Sequence, residues 1–202
     1  MKETITSEKT LNVKDLINIG IFTAVYFVIF MISTMTSYIP IMIFAFPVVS
    51  TILAGIPMIL FLSRSKKFGM VSIMSVLLGV IVLVMGYGIP GLGIAVACGV
   101  LADLLLMVGK WKSWKSMLGA YVVISLWPVG TIIPILMMGT AYFEGFRESM
   151  GDAYVAGAIE IFHAVSGWLM PAIVVATAVA AVVGAYLGKA VLKKHFVRAG
   201  IV

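Results

Sequence analysis

Six apolar stretches of about twenty residues each dominate this chain of 202 residues. A helix needs about twenty apolar residues to cross the roughly 30 Å hydrocarbon core of a bilayer. A water-soluble domain of this length has no core large enough to hide six such stretches, so each one predicts a membrane-spanning helix. The predicted spans are 16–35, 39–62, 68–87, 89–108, 117–139 and 168–187.

The composition also predicts an all-α integral membrane protein, a bundle of six transmembrane helices. Hydrophobic residues make up 62% of the chain and charged residues 11%, with a mean hydropathy of +1.18. We therefore interpret residues 1–202 as a single six-helix membrane domain. The polar start has no small-residue cleavage pattern before the first span, so we interpret 1–15 as a tail and expect nothing to be removed.

Lysine and arginine collect at one end of the predicted bundle. Of the 14 basic residues, all but Arg147 precede the first span or follow the second, fourth or sixth span. Cytoplasmic loops carry an excess of Lys and Arg, so both termini, 1–15 and 188–202, are expected to be cytoplasmic. Because the net charge of +6 lies in these short clusters, it indicates orientation in a membrane, and nucleic acid is not an expected partner.

A long acidic segment, 141–165, joins the fifth and sixth spans at the outer end. Tyr142, Phe146, Met150 and Tyr154 recur every four positions, and carboxylates lie between them. This spacing predicts an amphipathic helix on the membrane or over the bundle, although two glycines weaken it. Two interpretations stay open: an outer loop that acts as a lid over a ligand pocket, or an interfacial helix that only anchors the outer surface.

The chain lacks the residue patterns of most catalytic chemistry. The stretch 184–189 is one residue short of a phosphate-binding loop and has no Ser or Thr after its lysine. His163 and His195 are predicted at opposite ends of the bundle, and Cys98 is the one cysteine, so we expect no metal cluster and no internal disulfide. No serine has a histidine and a carboxylate at its depth, so we expect no enzyme activity.

Asp103 is the one carboxylate within a predicted span. A charge inside the membrane is costly and often marks a proton or ion path. Asp103 also lies about 10 Å along the helix from Lys110, near the inner headgroups. Pairing with a cytoplasmic lysine is therefore the alternative interpretation.

A ligand site is expected in the outer half of the bundle, where several of the seven prolines lie and irregular backbone can line a cavity. The candidate binding residues are Trp127 and Met138 in the fifth span, Tyr142, Phe143 and Phe146 in the long segment, and Glu160, His163 and Trp168 before the sixth span. The aromatic residues could instead form an interfacial belt, and Glu160 with His163 could be a surface pair on one helix face. A histidine in an apolar setting also suits a haem iron.

Small residues form smooth faces on two spans. Gly20 and Ala24 are a small-xxx-small pair in the first span, and the fourth span carries a row of glycine and alanine over 91–99. Such faces let helices approach closely in lipid. The pair therefore predicts either a docking surface for a partner subunit or packing within the six-helix bundle.

Four stretches carry a family resemblance: KDLINIGIFTA at 14–24, AGIPMILFL at 54–62 with KKFG at 66–69, GVLAD at 99–103, and LKKHFVRAG at 192–200. In these stretches the chain resembles the MptD or Trep_Strep group of small integral membrane proteins. That group is regarded as substrate-binding, or S, components of energy-coupling factor (ECF) transporters, a kind of ABC importer. The resemblance covers nearly the whole chain.

The resemblance implies a location in a prokaryotic plasma membrane and a division of labour. An S component captures a micronutrient at the outer face and docks on a transmembrane scaffold subunit driven by two cytoplasmic ATPases. In the wider class, small residues of the first span form the docking surface, where Gly20 and Ala24 stand here, and the outer ends of spans four to six build the pocket. A vitamin-like molecule, an aromatic amine or haem ligated by His163 are the ligands considered. A stand-alone secondary transporter, or a membrane-embedded enzyme, is the alternative function.

Overall fold

The computed structural model describes residues 10–196, and all of its regular structure in that range is helical. The α-helices are α1 Val13–Thr34, α2 Met42–Arg64, α3 Met70–Val82, α4 Ile89–Val108, α5 Trp114–Ile124, α6 Ile133–Met138, α7 Thr140–Glu144, α8 Arg147–Met150, α9 Asp152–Val165 and α10 Leu169–Val191. Short 3₁₀ turns cover Met35–Tyr38 and Trp127–Ile132, and π-helical turns cover Leu83–Tyr87 and Leu192–Phe196. Of the two predicted tails, 1–9 and 197–202 lie outside the described residues.

Six helical stretches are long and apolar enough to cross a membrane, which confirms the predicted all-α bundle of six spans. They are Val13–Tyr38, Met42–Arg64, Met70–Tyr87, Ile89–Val108, Trp114–Met138 and Leu169–Lys194. Each overlaps one predicted span. The fifth is not a continuous α-helix, because α5 ends at Ile124 and Trp127–Ile132 is a 3₁₀ segment before α6.

Helix α2 lies at the centre of the bundle and packs against α1, α5 and α10. Its contact with α10 is so close that a Cβ atom added to Gly55 would lie 2.6 Å from Gly184 Cα. One turn along α10, a Cβ on Gly188 would lie 2.6 Å from the Gly55 carbonyl oxygen. Glycine is therefore required where these two backbones touch, as is common between helices in lipid.

Asp103 is fully buried, and its carboxylate caps the start of α3. Oδ2 accepts hydrogen bonds from the Gly69 N–H at 3.0 Å, the Ser72 N–H at 2.8 Å and the Ser72 hydroxyl at 2.6 Å. These groups, together with the partial positive charge at a helix N-terminus, compensate the carboxylate. The structure therefore replaces the alternative interpretation, pairing of Asp103 with a cytoplasmic lysine, by capping of a neighbouring span.

The lysine-rich connections lie at one end of the bundle, which we call the basic end. Lys67 Nζ donates to Asp15 Oδ2 at 2.8 Å and so ties the α2–α3 connection to the start of α1. Lys189 Nζ, near the end of α10, lies 4.2 Å from the ring centroid of Trp114 at the start of α5. The opposite end, which carries the connection from α6 to α10, is the acidic end. The cytoplasmic location of the basic end stays a prediction.

Candidate functional site

Three short helices, α7, α8 and α9, make up the long segment at the acidic end, so the single amphipathic helix predicted over 141–165 is wrong. Gly151 separates α8 from α9 with a φ of +83°, and Gly139 precedes α7 with a φ of +60°. Glycine adopts this left-handed region without strain, and an α-helix cannot run through it. A further break falls at Gly145, between α7 and α8.

The four-residue repeat of the segment nevertheless marks one face, because all four of its members line the same cavity. This cavity has a volume of about 360 Å³ and lies at the acidic end, between the segment and the nearby ends of spans one, two, three and five. Its lining residues are Met31, Thr34, Met35, Ser37, Tyr38, Ile43, Phe46, Met85, Tyr87, Thr131, Ile135, Tyr142, Phe146, Met150 and Tyr154. We call it the outer cavity.

Methionine and aromatic side chains make up most of the lining, and none of the lining residues is charged. Methionine is flexible and polarisable, and its sulfur packs well against aromatic rings. Sites of this composition hold uncharged ligands, with a few polar groups fixing the orientation. The outer cavity therefore fits a small, neutral molecule that is largely apolar or aromatic.

Hydroxyl groups provide the polar contacts of the outer cavity. Burial, together with the neighbouring Tyr87 and Tyr154, raises the pKa of Tyr142 to about 12. Burial also raises the pKa of Tyr154 above its ordinary value. Both phenols therefore stay protonated near neutral pH, so Tyr142 can donate a hydrogen bond to a ligand, whereas Tyr154 already donates to the Ser37 carbonyl. The hydroxyls of Thr34 and Thr131 already donate to carbonyls of their own helical turns, at 2.8 and 2.6 Å, so they offer a ligand an acceptor oxygen.

One hydrogen bond ties the segment to the first span, and a cluster of ion pairs holds the helices of the segment to one another. Tyr154 donates a hydrogen bond of 2.7 Å to the Ser37 carbonyl in the turn that ends the first span. Arg147 pairs with Glu144 at 2.7 Å and also with Asp152, which joins α7, α8 and α9. The hydrogen bonds to Asp152, which has the larger effect, and to Glu144 raise the pKa of the Arg147 guanidinium. The segment is thus a wall of the outer cavity as well as a surface feature.

Two of the predicted binding residues, Tyr142 and Phe146, line the outer cavity. Phe143 is fully buried behind them, with its ring centroid 5.6 Å from Phe162. Trp127 is also fully buried, and its ring centroid lies 5.2 Å from Phe30 in the middle of the bundle. Phe143 and Trp127 are therefore core residues in this structure, because aromatic rings of their size fill the space between spans.

The other predicted residues lie away from the outer cavity. Glu160 and His163 are exposed on α9, and Met138 is 56% exposed at the end of α6. Trp168 is 57% exposed and borders a separate apolar groove of about 190 Å³ between α2 and α10. The structure does not bring these four side chains together with Tyr142 and Phe146. That these four residues bind the ligand stays a prediction, and none of them lines the outer cavity.

Sequence reasoning missed the contribution of the first three spans. Met31 and Met35 come from the end of the first span, and Met85 and Tyr87 from the end of the third. One signal was present, since these methionines cluster at predicted outer ends. The spacing of apolar residues did not identify the lining residues, because a span that faces lipid on one side and the bundle on the other is apolar on both sides.

Gly20 and Ala24 lie on the exposed face of α1. A Cβ atom added to Gly20 would meet nothing within 4 Å, so packing within the bundle is the wrong interpretation for this glycine. Ile17 and Ile21, on the same side of α1, are 56% and 54% exposed. The small residues thus form a shallow depression in an apolar, lipid-facing surface, which we call the α1 face.

A family model described as "Hypothetical bacterial integral membrane protein (Trep_Strep)" matches residues 13–198. The chain belongs to this family. No curated protein and no solved structure matches the chain. The match spans all six membrane helices, and it identifies the chain as an integral membrane protein of a bacterial family.

The Trep_Strep match includes both surfaces described above. The residues lining the outer cavity fall between Met31 and Tyr154, and the α1 face lies at 17–24, all within the matched range. The uncharged cavity at one end and the exposed small-residue face on a spanning helix therefore both lie within the part of the chain that the family model matches.

Proposed function

We propose that this Trep_Strep protein is the substrate-capture (S) component of an ECF-type ABC importer. In this proposal the outer cavity binds a micronutrient at the outer face of the membrane, and the α1 face docks on a scaffold subunit that works with two cytoplasmic ATPases. The observation that carries the proposal is the combination of a roofed cavity at one end with an exposed Gly20–Ala24 depression on the first span. The resemblance of the sequence to the MptD or Trep_Strep group, which is regarded as a group of S components, supports it.

The lining of the outer cavity supports a vitamin-like ligand. Since its described lining residues carry no charge, binding a charged nutrient there would cost desolvation without an ionic partner. Haem ligated by His163 has less support, because the histidine is exposed on α9 and is not part of the lining. A neutral, apolar or aromatic molecule fits the methionines and tyrosines best.

The positive-inside bias supports an outward-facing cavity. The basic end would lie in the cytoplasm, and the acidic end with its cavity would face outside. The helices α7 and α8 then serve as a lid over the cavity, and the Tyr154–Ser37 hydrogen bond holds the neighbouring helix α9 to the end of the first span.

A secondary transporter receives less support from the structure. Such a carrier needs a group inside the membrane that binds the coupling ion. Asp103 was the candidate, and its carboxylate is fully buried under hydrogen bonds from the start of α3.

The test is to place larger side chains on the α1 face without changing any residue that lines the outer cavity. Gly20→Leu and Ala24→Leu place bulk where a partner helix would approach, and close approach is what helix association in lipid depends on. Gly93→Leu and Ala97→Leu are the matched controls, because both residues are exposed on α4 and a Cβ at Gly93 meets nothing within 4 Å. We expect the α1 variants to lose co-purification with a scaffold and two ATPases, identified by mass spectrometry, and the α4 variants to keep it.

Native mass spectrometry of each purified variant gives the second measurement, the fraction of protein that retains its ligand. Both the α1 and the α4 variants are expected to retain as much ligand as the unsubstituted protein. Partner loss that is equal in α1 and α4 variants would remove the α1 face as the docking surface. Uptake by the chain alone, driven by an ion gradient in vesicles, would reject the S-component function.

A further inference from the structure

Three polar side chains at mid-depth of the bundle make no hydrogen bond of ordinary length to any of the described residues. They are the Tyr26 hydroxyl, the Ser125 hydroxyl and the Trp127 indole N–H, and the exposures of these residues are 2%, 1% and 0%. Tyr26 lies at the middle of the first span, Val13–Tyr38, and the other two lie at the middle of the fifth, Trp114–Met138. Tyr26 and Trp127 are neighbours, with ring centroids 5.9 Å apart. We call these three residues the mid-depth layer.

Unpaired donors are unusual at this depth, because hydrocarbon offers no water to satisfy them. Nearby polar groups are in fact paired: the Tyr121 hydroxyl donates to the Thr51 carbonyl, and the Thr51 hydroxyl donates to the Ser125 carbonyl at 3.5 Å. These two neighbours are thus paired while the three donors of the layer are not, and the described residues hold two more unpaired buried groups, the Trp111 indole N–H and the Thr177 hydroxyl.

The fifth span is broken at the same place. Helix α5 ends at Ile124, and the chain then turns into the 3₁₀ segment Trp127–Ile132, with Pro128 unable to donate a backbone hydrogen bond. Irregular backbone at membrane depth is tolerated where it is enclosed by protein or lines a cavity, and interrupted helices often form binding sites in membrane proteins. This break is an observation independent of the unpaired donors.

One side chain separates the mid-depth layer from the outer cavity. The ring of Phe30 is fully buried, with its centroid 5.2 Å from Trp127 on one side and 5.7 Å from Phe46 on the other. Phe46 lines the outer cavity. Tyr26 lies one helical turn, about 6 Å, from Phe30 along α1. The Phe30 ring therefore lies between the cavity-lining Phe46 and Trp127 of the mid-depth layer.

We infer that the mid-depth layer is a deep subsite of the outer cavity, opened when Phe30 rotates. Trp127 can only donate, and the hydroxyls of Tyr26 and Ser125 are free to donate, so the subsite takes a hydrogen-bond acceptor. The acceptor is neutral, because none of the three residues carries a charge to balance an anion. The ligand is thus an aromatic molecule with a carbonyl or carboxamide group that enters first. This inference rests on the outer cavity being the capture site of the proposed function.

Fluorine NMR of protein labelled with 5-fluorotryptophan tests the subsite directly. The Trp127 resonance is assigned by its disappearance in Trp127→Phe. The probes are benzamide, which has a ring and a carboxamide, and toluene, which has the ring alone. We expect benzamide to shift the Trp127 resonance in a saturable manner, and Tyr26→Phe to raise the benzamide concentration at half saturation at least fivefold without affecting toluene.

Two further variants control this experiment. Tyr186→Phe removes a hydroxyl from the lipid-facing side of α10, where Tyr186 is 54% exposed, and is expected to change nothing. Phe30→Leu shortens the dividing side chain and is expected to lower the half-saturating benzamide concentration. Since Tyr26→Phe removes one oxygen atom and no carbon, it tests the inference even if Phe30→Leu fails to fold.

The possible outcomes separate this inference from the proposed function. If the Trp127 resonance does not shift with benzamide but does shift between H₂O and D₂O, the mid-depth layer holds only structural water. That result would overturn the subsite. A benzamide response that is equal in the unsubstituted protein and in Tyr26→Phe would also overturn it. Neither result depends on whether the chain co-purifies with a scaffold and ATPases, so the subsite can fail while the capture function stands.

Discussion

The contact between α2 and α10 gives the sharpest prediction on stability. Gly55→Ala adds a methyl group that would lie 2.6 Å from Gly184 Cα and closer still to its carbonyl oxygen. Both atoms belong to backbone, so no side-chain rotation can relieve the overlap. The two helices must separate instead. Gly20→Ala is the matched control, because the same methyl group meets nothing within 4 Å there.

The size of the effect follows from the separation. Ordinary contact begins at 3.4 Å, so the helices must move apart by roughly 1 Å. A gap of about 0.5 to 1 Å forfeits a quarter to a half of each dispersion contact along the interface, and overpacking of this kind costs about 1 to 3 kcal/mol. The gain in helix propensity from glycine to alanine, about 1 kcal/mol, is common to both variants and cancels in the comparison.

We therefore expect the free energy of unfolding of Gly55→Ala to fall about 1 to 3 kcal/mol below that of Gly20→Ala. Reversible unfolding in mixed micelles, with a denaturing detergent as the titrant, measures this difference. If the two variants agree within about 0.5 kcal/mol, the range of an ordinary surface substitution, the close backbone contact of α2 with α10 is refuted.

Two further predictions concern orientation and the buried carboxylate. In a Cys98→Ser background, an impermeant thiol reagent added to intact cells should label Ser149→Cys and not Lys112→Cys, because the basic end is expected inside; the reverse pattern would overturn the topology. Asp103→Ala leaves the buried donors at the start of α3 unpaired and should lower the free energy of unfolding by about 2 to 3 kcal/mol, with Asp103→Asn losing less. Loss of uptake in Asp103→Asn with unchanged stability would instead indicate an ion path.

The spans were predictable because the length and hydrophobicity of a segment decide whether it can cross a bilayer. Every predicted span overlaps one in the structure, and the clustered lysines lie together at one end. The face of the outer segment was predictable for a different reason. That segment lies where water is present, so its cavity-lining residues Tyr142 and Tyr154 alternate with polar ones. Its helical continuity was not predictable by spacing, because the backbone at Gly139 and Gly151 decides it.

The inner lining of the bundle left no comparable pattern in the sequence. Within lipid, the outward face of a helix is as apolar as its inward face, so Met31 and Ile32 look alike although one lines the outer cavity and the other is 55% exposed. Trp127 was expected in the site because it was placed in the outer half of the fifth span. The structure instead buries its indole in the core, with the ring centroid 5.2 Å from Phe30.

Helix α1 joins the parts of the proposed function. One face carries Gly20 and Ala24 towards lipid, whereas the other carries Tyr26 and, nearer the acidic end, Met31, which lines the outer cavity. A ligand that displaces Phe30, on this same helix, must change how α1 packs against its neighbours, because a close-packed core has no spare volume to absorb the ring. In the proposed function, the helix that contacts the deep end of the ligand would then be the helix whose other face docks on the scaffold. Ligand occupancy and docking would be coupled through α1 itself, with no longer path across the bundle needed.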